Sequence, residues 1–162
     1  MHMTEICTRE VATCVRATNA HALAQLMRDG HVGQVVVVED CDGLVSPVGI
    51  VTDRDLVVRV LAQGLDGEAV TAGDLMARTL ITVLASEDVH DAVWHMRSHG
   101  IKRLPVVDER GALRGLVTAD DLTSHLAAEL SDTARIAPGV GRRERVNFEP
   151  KVAPVGVRCV RG

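Results

Sequence analysis

Two tetrapeptides, Thr52-Asp53-Arg54-Asp55 and Thr118-Ala119-Asp120-Asp121, set a hydroxyl three residues ahead of a carboxylate. Each follows Gly-apolar-Val, in GIVTDRD and GLVTADD, and each leads into an apolar stretch of helical period. Two chemistries use that spacing. In a capping box the Thr oxygen accepts from a first-turn amide, the acidic side chain reaches back to the Thr amide, and nothing is bound. In a ligand site the strand-to-helix junction offers unpaired amides and the positive end of a helix dipole to an anionic phosphate. The Thr hydroxyl donates to a phosphate oxygen, and the Asp carboxylate accepts from two vicinal hydroxyls and repels phosphate from its own position. Spacing alone leaves both open.

Basic residues would complete a phosphate site. Arg54 lies two residues after Thr52, where the second copy has the acidic Asp120. Lys102 and Arg103 stand just before an apolar strand, where the first copy has Gly33 and Gln34. They are candidate phosphate ligands or a solvated strand entrance, and the two halves are not equivalent. His95 and His99, four apart on a predicted helix, have the spacing of a metal-binding pair. With no third ligand nearby in sequence they read as exposed helix histidines, and no metal is expected.

These residues are positioned by one unit written twice. At an offset of 69 residues, 7–38 lie over 76–107, matching Arg9 with Arg78, Thr13 with Thr82, His21 with His90 and Met27 with Met96. A longer turn in the first copy, EDCDGLVSPV against DERGALR, precedes a resumed register at Gly49 and Gly115. Self-similarity of this kind dictates architecture. Each copy reads as a strand (11–15; 80–84), an amphipathic helix, a Val-rich strand (35–38; 104–107), a turn, a third strand (48–51; 113–117) and a second helix (53–63; 119–129). The order is β-α-β-β-α twice, an α+β fold. A unit so small cannot bury both faces of its sheet, so the copies should pack with pseudo-twofold symmetry, sheets facing, with two clefts between them.

GIKRLPVVD followed by GLVTADDL, and VGQVVVVED followed by PVGIVTDRDLVVRVLAQGLD, resemble a tandem pair of CBS domains, the Bateman module, over residues 3 to 130. Within that family the chain is similar to stand-alone bacterial pairs of the hypoxic-response type. The resemblance implies repeats at 3–68 and 69–130 and a C-terminal extension at 131–162. It implies a regulatory module rather than an enzyme, needing no cofactor, that binds an adenosyl ligand (AMP, ADP, ATP, NAD or S-adenosylmethionine) in the clefts, forms a homodimer and acts in trans on an effector protein. By the same resemblance Asp55 and Asp121 take ribose hydroxyls, and Thr52 and Thr118 the phosphate side. Adenine would need an apolar slot with backbone hydrogen bonds, from 12–14 (Thr13) and 81–83 (Ile81, Thr82). Pro105 fits the family's second strand, whereas Val36 departs from it. The alternatives are a structural dimerisation module with vestigial clefts and a nucleotide-processing enzyme built from dispersed residues.

Composition supports these exclusions. Of 162 residues 46% are hydrophobic but only 1% aromatic, which disfavours stacking on single-stranded nucleic acid. The net charge of −4 gives no general attraction to DNA or acidic membranes. Basic residues gather from Arg142 onward, and a solvated tail is expected there rather than a nucleic-acid arm. No run is long enough for a membrane span, and no HExxH, GxSxG or Walker loop is present. A cytoplasmic protein is expected, with Cys7, Cys14, Cys41 and Cys159 reduced, Cys14 buried and Cys41 exposed. Pro138, Gly139 and Gly141 suggest a linker, and the VAPVGVRCV segment a late strand.

Overall fold

The computed structural model describes residues 2–77 and 79–146, with side chains through residue 136. The VAPVGVRCV segment and Cys159 lie outside the described residues. The first repeat comprises β1 (Thr13–Cys14), α1 (Ala20–Asp29), β2 (Gln34–Cys41), β3 (Leu44–Thr52) and α2 (Asp53–Leu56), which continues as a π-helical turn over Val57–Leu61. After the short α3 (Ala72–Leu75), the second repeats the order as β4 (Val83–Leu84), α4 (Val89–His99), β5 (Arg103–Val107), β6 (Leu113–Thr118) and α5 (Ala119–Val146). Each sheet has three strands, with β2 or β5 central, parallel to the short first strand and antiparallel to the third. The expected α+β repeat is present. Residues 1–124 form one compact unit and residues 125–162 another, divided within α5.

Local chemistry accounts for the boundaries. Asn19 caps α1 by accepting from Ala22 N, and Ala20, Leu23 and Met27 fall on its buried face. Asp88 caps α4 by accepting from the amides of His90 and Asp91, and Gly100, at φ 65°, ends that helix in the left-handed region. Asp42 and Gly43, at φ 56° and 81°, make the tight turn between β2 and β3, whose pairing therefore runs past the expected residues 48–51. The first strands are shorter than expected. Val15 N turns to Thr18 Oγ1 at 3.3 Å, which ends β1. The second helix of the first repeat is α-helical for only four residues before its π turn. α5, in contrast, continues beyond Glu129 to Val146, through the Pro138-Gly139 pair expected to begin a linker. Extending a formed helix through the Ala- and Leu-rich 126–136 costs far less than nucleating one.

Two apolar cores result, and each contains a piece of the other repeat's approach. Met3, with Ile6 and Cys7 beside it, is buried with Val83, Val89, Leu104 and Val117 of the second repeat. Ala72 and Leu75, with Met76 beside them, are buried with Leu23, Val35, Val51 and Val60 of the first. Backbone bonds fix the exchange: Thr8 and Leu116 bond each other in both directions at 2.9 Å, and Ala72 N donates to Thr18 O at 2.8 Å. The crossing points explain the glycines that open GIVTDRD and GLVTADD. A Cβ at Gly49 would overlap the Met76 side chain. One at Gly115 would stand 2.6 Å from Cys7 Sγ and 2.9 Å from Thr8 O.

A Cβ at Gly115 meets the Thr8 carbonyl at 2.9 Å and one at Gly49 meets Met76 Cβ at 2.8 Å, contacts that no rotamer change relieves, so Gly115→Ala and Gly49→Ala should each cost about 1–3 kcal/mol. Both urea midpoints should fall, and an unchanged midpoint in either variant would contradict the close approach at that glycine.

Candidate functional site

Both tetrapeptides form capping boxes where a third strand becomes a helix. Thr52 N and Oγ1 donate to Asp55 Oδ2 at 2.9 and 2.6 Å, and Asp55 N donates back to Thr52 Oγ1 at 3.3 Å. At the second junction the corresponding distances are 2.8, 2.7 and 3.2 Å between Thr118 and Asp121. Thr71 and Asp74 make a third such box at α3, away from either junction. Within the boxes at Thr52 and Thr118 every bond to the carboxylate goes to Oδ2. Oδ1 of Asp55 and of Asp121 has no hydrogen-bond partner among the described residues and remains an acceptor.

At the first junction the first-turn amides are not unpaired as the sequence suggested. Asp53 N donates to Gly33 O at 3.1 Å and Arg54 N to Asp53 Oδ1 at 2.7 Å, so with Asp55 N all three at that junction are spent. Ala119 N likewise donates to Lys102 O at 2.9 Å. The loop before each central strand supplies the carbonyl, a partner that no local pattern reveals. An anion at the Thr52 junction must therefore be met by side chains, whereas at the Thr118 junction Asp120 N has no partner among the described residues.

Those side chains converge across the repeats. A cavity of about 340 Å³ is lined by Ile50 and Thr52 of β3 and by Gly100, Ile101, Lys102 and Arg103 of the second repeat. Arg103 is half-buried, and its Nε donates to Gln34 Oε1 at 2.8 Å. Gln34 and Arg103 are the residues the offset equates, each the first of a central strand. Sequence reasoning set Gln34 aside as the position lacking a cation; only the fold reveals it as Arg103's partner.

The other candidates lie elsewhere. Arg54 is exposed and does not line this cavity. Neither do Thr13, exposed on β1, nor Ile81 and Thr82, half-buried before β4. Pro105 is fully buried in central β5, so its contribution is one of shape and bonding rather than contact. Val36 N donates to Ala12 O at 2.9 Å. Pro105, its counterpart, has no N–H, so the equivalent bond to Ile81 O is missing.

His99 Nδ1 lies 2.9 Å from His95 O, and Trp94 packs edge-on against both rings. Among the described residues no three His, Cys, Asp or Glu side chains are grouped to hold a metal. Burial pushes the Cys7 and Cys14 thiols above their ordinary range, and Cys41 is exposed at the end of β2. No helix among the described residues is long and apolar enough to cross a membrane.

Paired three-stranded repeats with twin capped junctions define a two-repeat module, and comparison places it. The CBS domain family matches residues 3–62 and 72–128, and the chain belongs to that family as a tandem pair. It is 41% identical over 118 residues to the uncharacterized protein MK0525 of Methanopyrus kandleri, covering 73% of this chain and 59% of that protein's length. Hypoxic response protein 1 of Mycobacterium tuberculosis is 37% identical over 105 residues, 65% of this chain and 71% of its own. A crystal structure of Hypoxic Response Protein I with two coordinated zinc ions superposes with TM-score 0.67 at 31% identity, covering 77% of this chain and 98% of that one. The CBS domain protein PAE2072 of Pyrobaculum aerophilum, complexed with AMP, superposes with TM-score 0.68 at 27% identity, covering 79% and 99%.

The third capping box separates capping from binding. Hydrogen bonds from Thr71, side chain first and backbone second, hold the Asp74 carboxyl below its usual value of 3.8. A depressed folded value means stabilisation present above the unfolded value and lost as pH falls through the folded one. Asp74→Asn should therefore lower the urea midpoint near pH 7 and make no difference near pH 2. An equal loss at both would show that the charge is not what the box holds.

Proposed function

We propose that this chain is a cytoplasmic sensor of adenosyl nucleotides (AMP, ADP, ATP, NAD or S-adenosylmethionine) that acts on an effector protein rather than catalysing a reaction. The cavity joining Thr52 of one repeat to Lys102 and Arg103 of the other carries this reading. Its groups, together with Asp55, which is hydrogen-bonded to the lining residue Thr52, are sorted as a nucleoside phosphate requires. Oδ1 of Asp55 accepts from the ribose hydroxyls, and Lys102 and Arg103 meet the phosphate with charge-assisted hydrogen bonds. Ile50 and Ile101 offer apolar surface to the base. Asp121 and Thr118 repeat the ribose and phosphate positions at the second junction. The likeness to PAE2072, whose structure contains AMP, supports the ligand class.

A ligand in this cavity touches both repeats, which gives it a means of signalling. If it fits one relative arrangement of the repeats better, its binding shifts the population toward that arrangement. An effector responds to the extent that it distinguishes the two.

The protein also acts as a homodimer in this proposal. Val57, Val58, Leu61 and Leu65 are exposed on and after the π turn, and Val93 and Trp94 on α4, large apolar side chains that a second copy would cover.

Thermal shift against the five ligands tests the sensor. A ligand at a hundredfold its Kd should add about 2.7 kcal/mol, which is several degrees at this size. Asp55→Ala and Asp121→Ala should diminish the shift, and no shift with any adenosyl ligand would refute the proposal. For the dimer, light scattering at micromolar concentration should give twice the chain mass, with Leu61→Glu moving it toward one chain; a monomeric wild type would contradict it.

A further inference from the structure

Gln34 is the register partner of Thr52 in β2–β3, and Arg103 is the register partner of Thr118 in β5–β6. Directly opposed residues of an antiparallel pair project from the same face, with Cβ atoms about 5 Å apart. The 2.8 Å bond from Arg103 Nε to Gln34 Oε1 draws these two faces together. Arg103 consequently stands beside Thr118 in its own sheet while lining the cavity that contains Thr52. Gln34 engages Nε alone. Nη1 and Nη2 have no hydrogen-bond partner among the described residues and present the paired donors that suit an oxyanion. No second guanidinium occupies the twin position, because that position is Gln34.

The surrounding charges are unequal as well. Lys102 lines the cavity with Thr52, whereas the position it matches in the first repeat is Gly33. Each junction carries two carboxylates, Asp53 and Asp55 beside Thr52 and Asp120 and Asp121 beside Thr118, but only the first adds a cation, Arg54, where the second has Asp120. A phosphate at the Thr52 junction recruits Arg103 and Lys102. A second phosphate at the Thr118 junction would then face two carboxylates with neither Lys102 nor a counterpart of Arg54 to offset them, after the shared cation has been engaged. A neutral adenosyl group makes no such demand.

From this geometry we infer that Arg103 is a single phosphate-binding group shared by both junctions, so that the chain takes one phosphorylated adenosyl ligand and leaves the Thr118 junction to an adenosyl group without phosphate. This rests on the nucleotide-sensing proposal above. Gln34 acts as a positioning residue that holds the guanidinium between the two.

Isothermal titration of the full chain with AMP and with adenosine tests it. Wild type should bind one AMP per chain at least about 10-fold more tightly than any second, the scale of one charge-assisted hydrogen bond, and AMP-saturated protein should still take up adenosine. Arg103→Gln should weaken AMP by about 10- to 100-fold and leave adenosine within a few-fold. Gln34→Arg should add a second AMP of comparable affinity, and thermal melts establish that each variant is folded. Two equal AMP sites in wild type, or equal loss of AMP and adenosine in Arg103→Gln, overturn the sharing while leaving nucleotide sensing intact. Failure of wild type to bind either ligand overturns the sensing proposal and this inference with it.

Discussion

A three-stranded sheet with two helices is too small to cover itself, and each repeat here completes its core with the segment that introduces its twin. Met3 is 0% exposed within the second repeat and Leu75 is 3% exposed within the first. Burying side chains of that size is worth about 1.5–3 kcal/mol each, and neither could be buried without the exchange. The exchange also ties fold to site. Gly49 and Gly115, where the borrowed segments pass closest, stand three residues before Thr52 and Thr118, so movement at one crossing is felt at the adjoining junction.

The junctions are braced because most of their polar groups are already paired. Each Thr hydroxyl both donates to and accepts from its own Asp, and the amides of Asp53 and Ala119 are held by carbonyls of the preceding loops. A phosphate that took the Thr hydroxyl would first give up a capping bond worth about 1 kcal/mol. Free guanidinium and ammonium donors ask no such sacrifice. In the proposed function, anion recognition therefore shifts from the helix start to Lys102 and Arg103, and the Asp residues keep one oxygen for a neutral diol.

Much of this was legible before any coordinates. The offset of 69 residues implied the repeated β-α-β-β-α order, and Thr-x-x-Asp implied both a cap and a possible site. Local spacing could not reveal partners supplied by the fold. Gln34 had been noted only as the neutral counterpart of Arg103, because their contact spans 69 residues. Gly33 looked featureless, yet its carbonyl takes the amide expected to meet a phosphate. Pro105 was a candidate contact and is instead enclosed in the core, since a central strand turns its side chains into packed layers. The continuation of α5 past Glu129 was hidden by Pro138 and Gly139, whose low intrinsic helix preference outweighed the 126–136 run in a local reading.

The two repeats have diverged unevenly, and the pattern is informative. Where residues hold the fold, symmetry persists: Gly49 and Gly115 admit the exchanged segments, and the two capping boxes agree to within a few tenths of an ångström. Where residues border the cavity or its junctions, symmetry is lost, as in Gly33 against Lys102, Gln34 against Arg103 and Arg54 against Asp120. The same holds for the carbonyl beneath the central strand, since Ala12 O receives the Val36 amide while Ile81 O faces a proline that has none to give. Packing requires two similar surfaces to meet, but binding makes no such demand. A duplicated fold can thus keep one architecture while its two junctions diverge in charge.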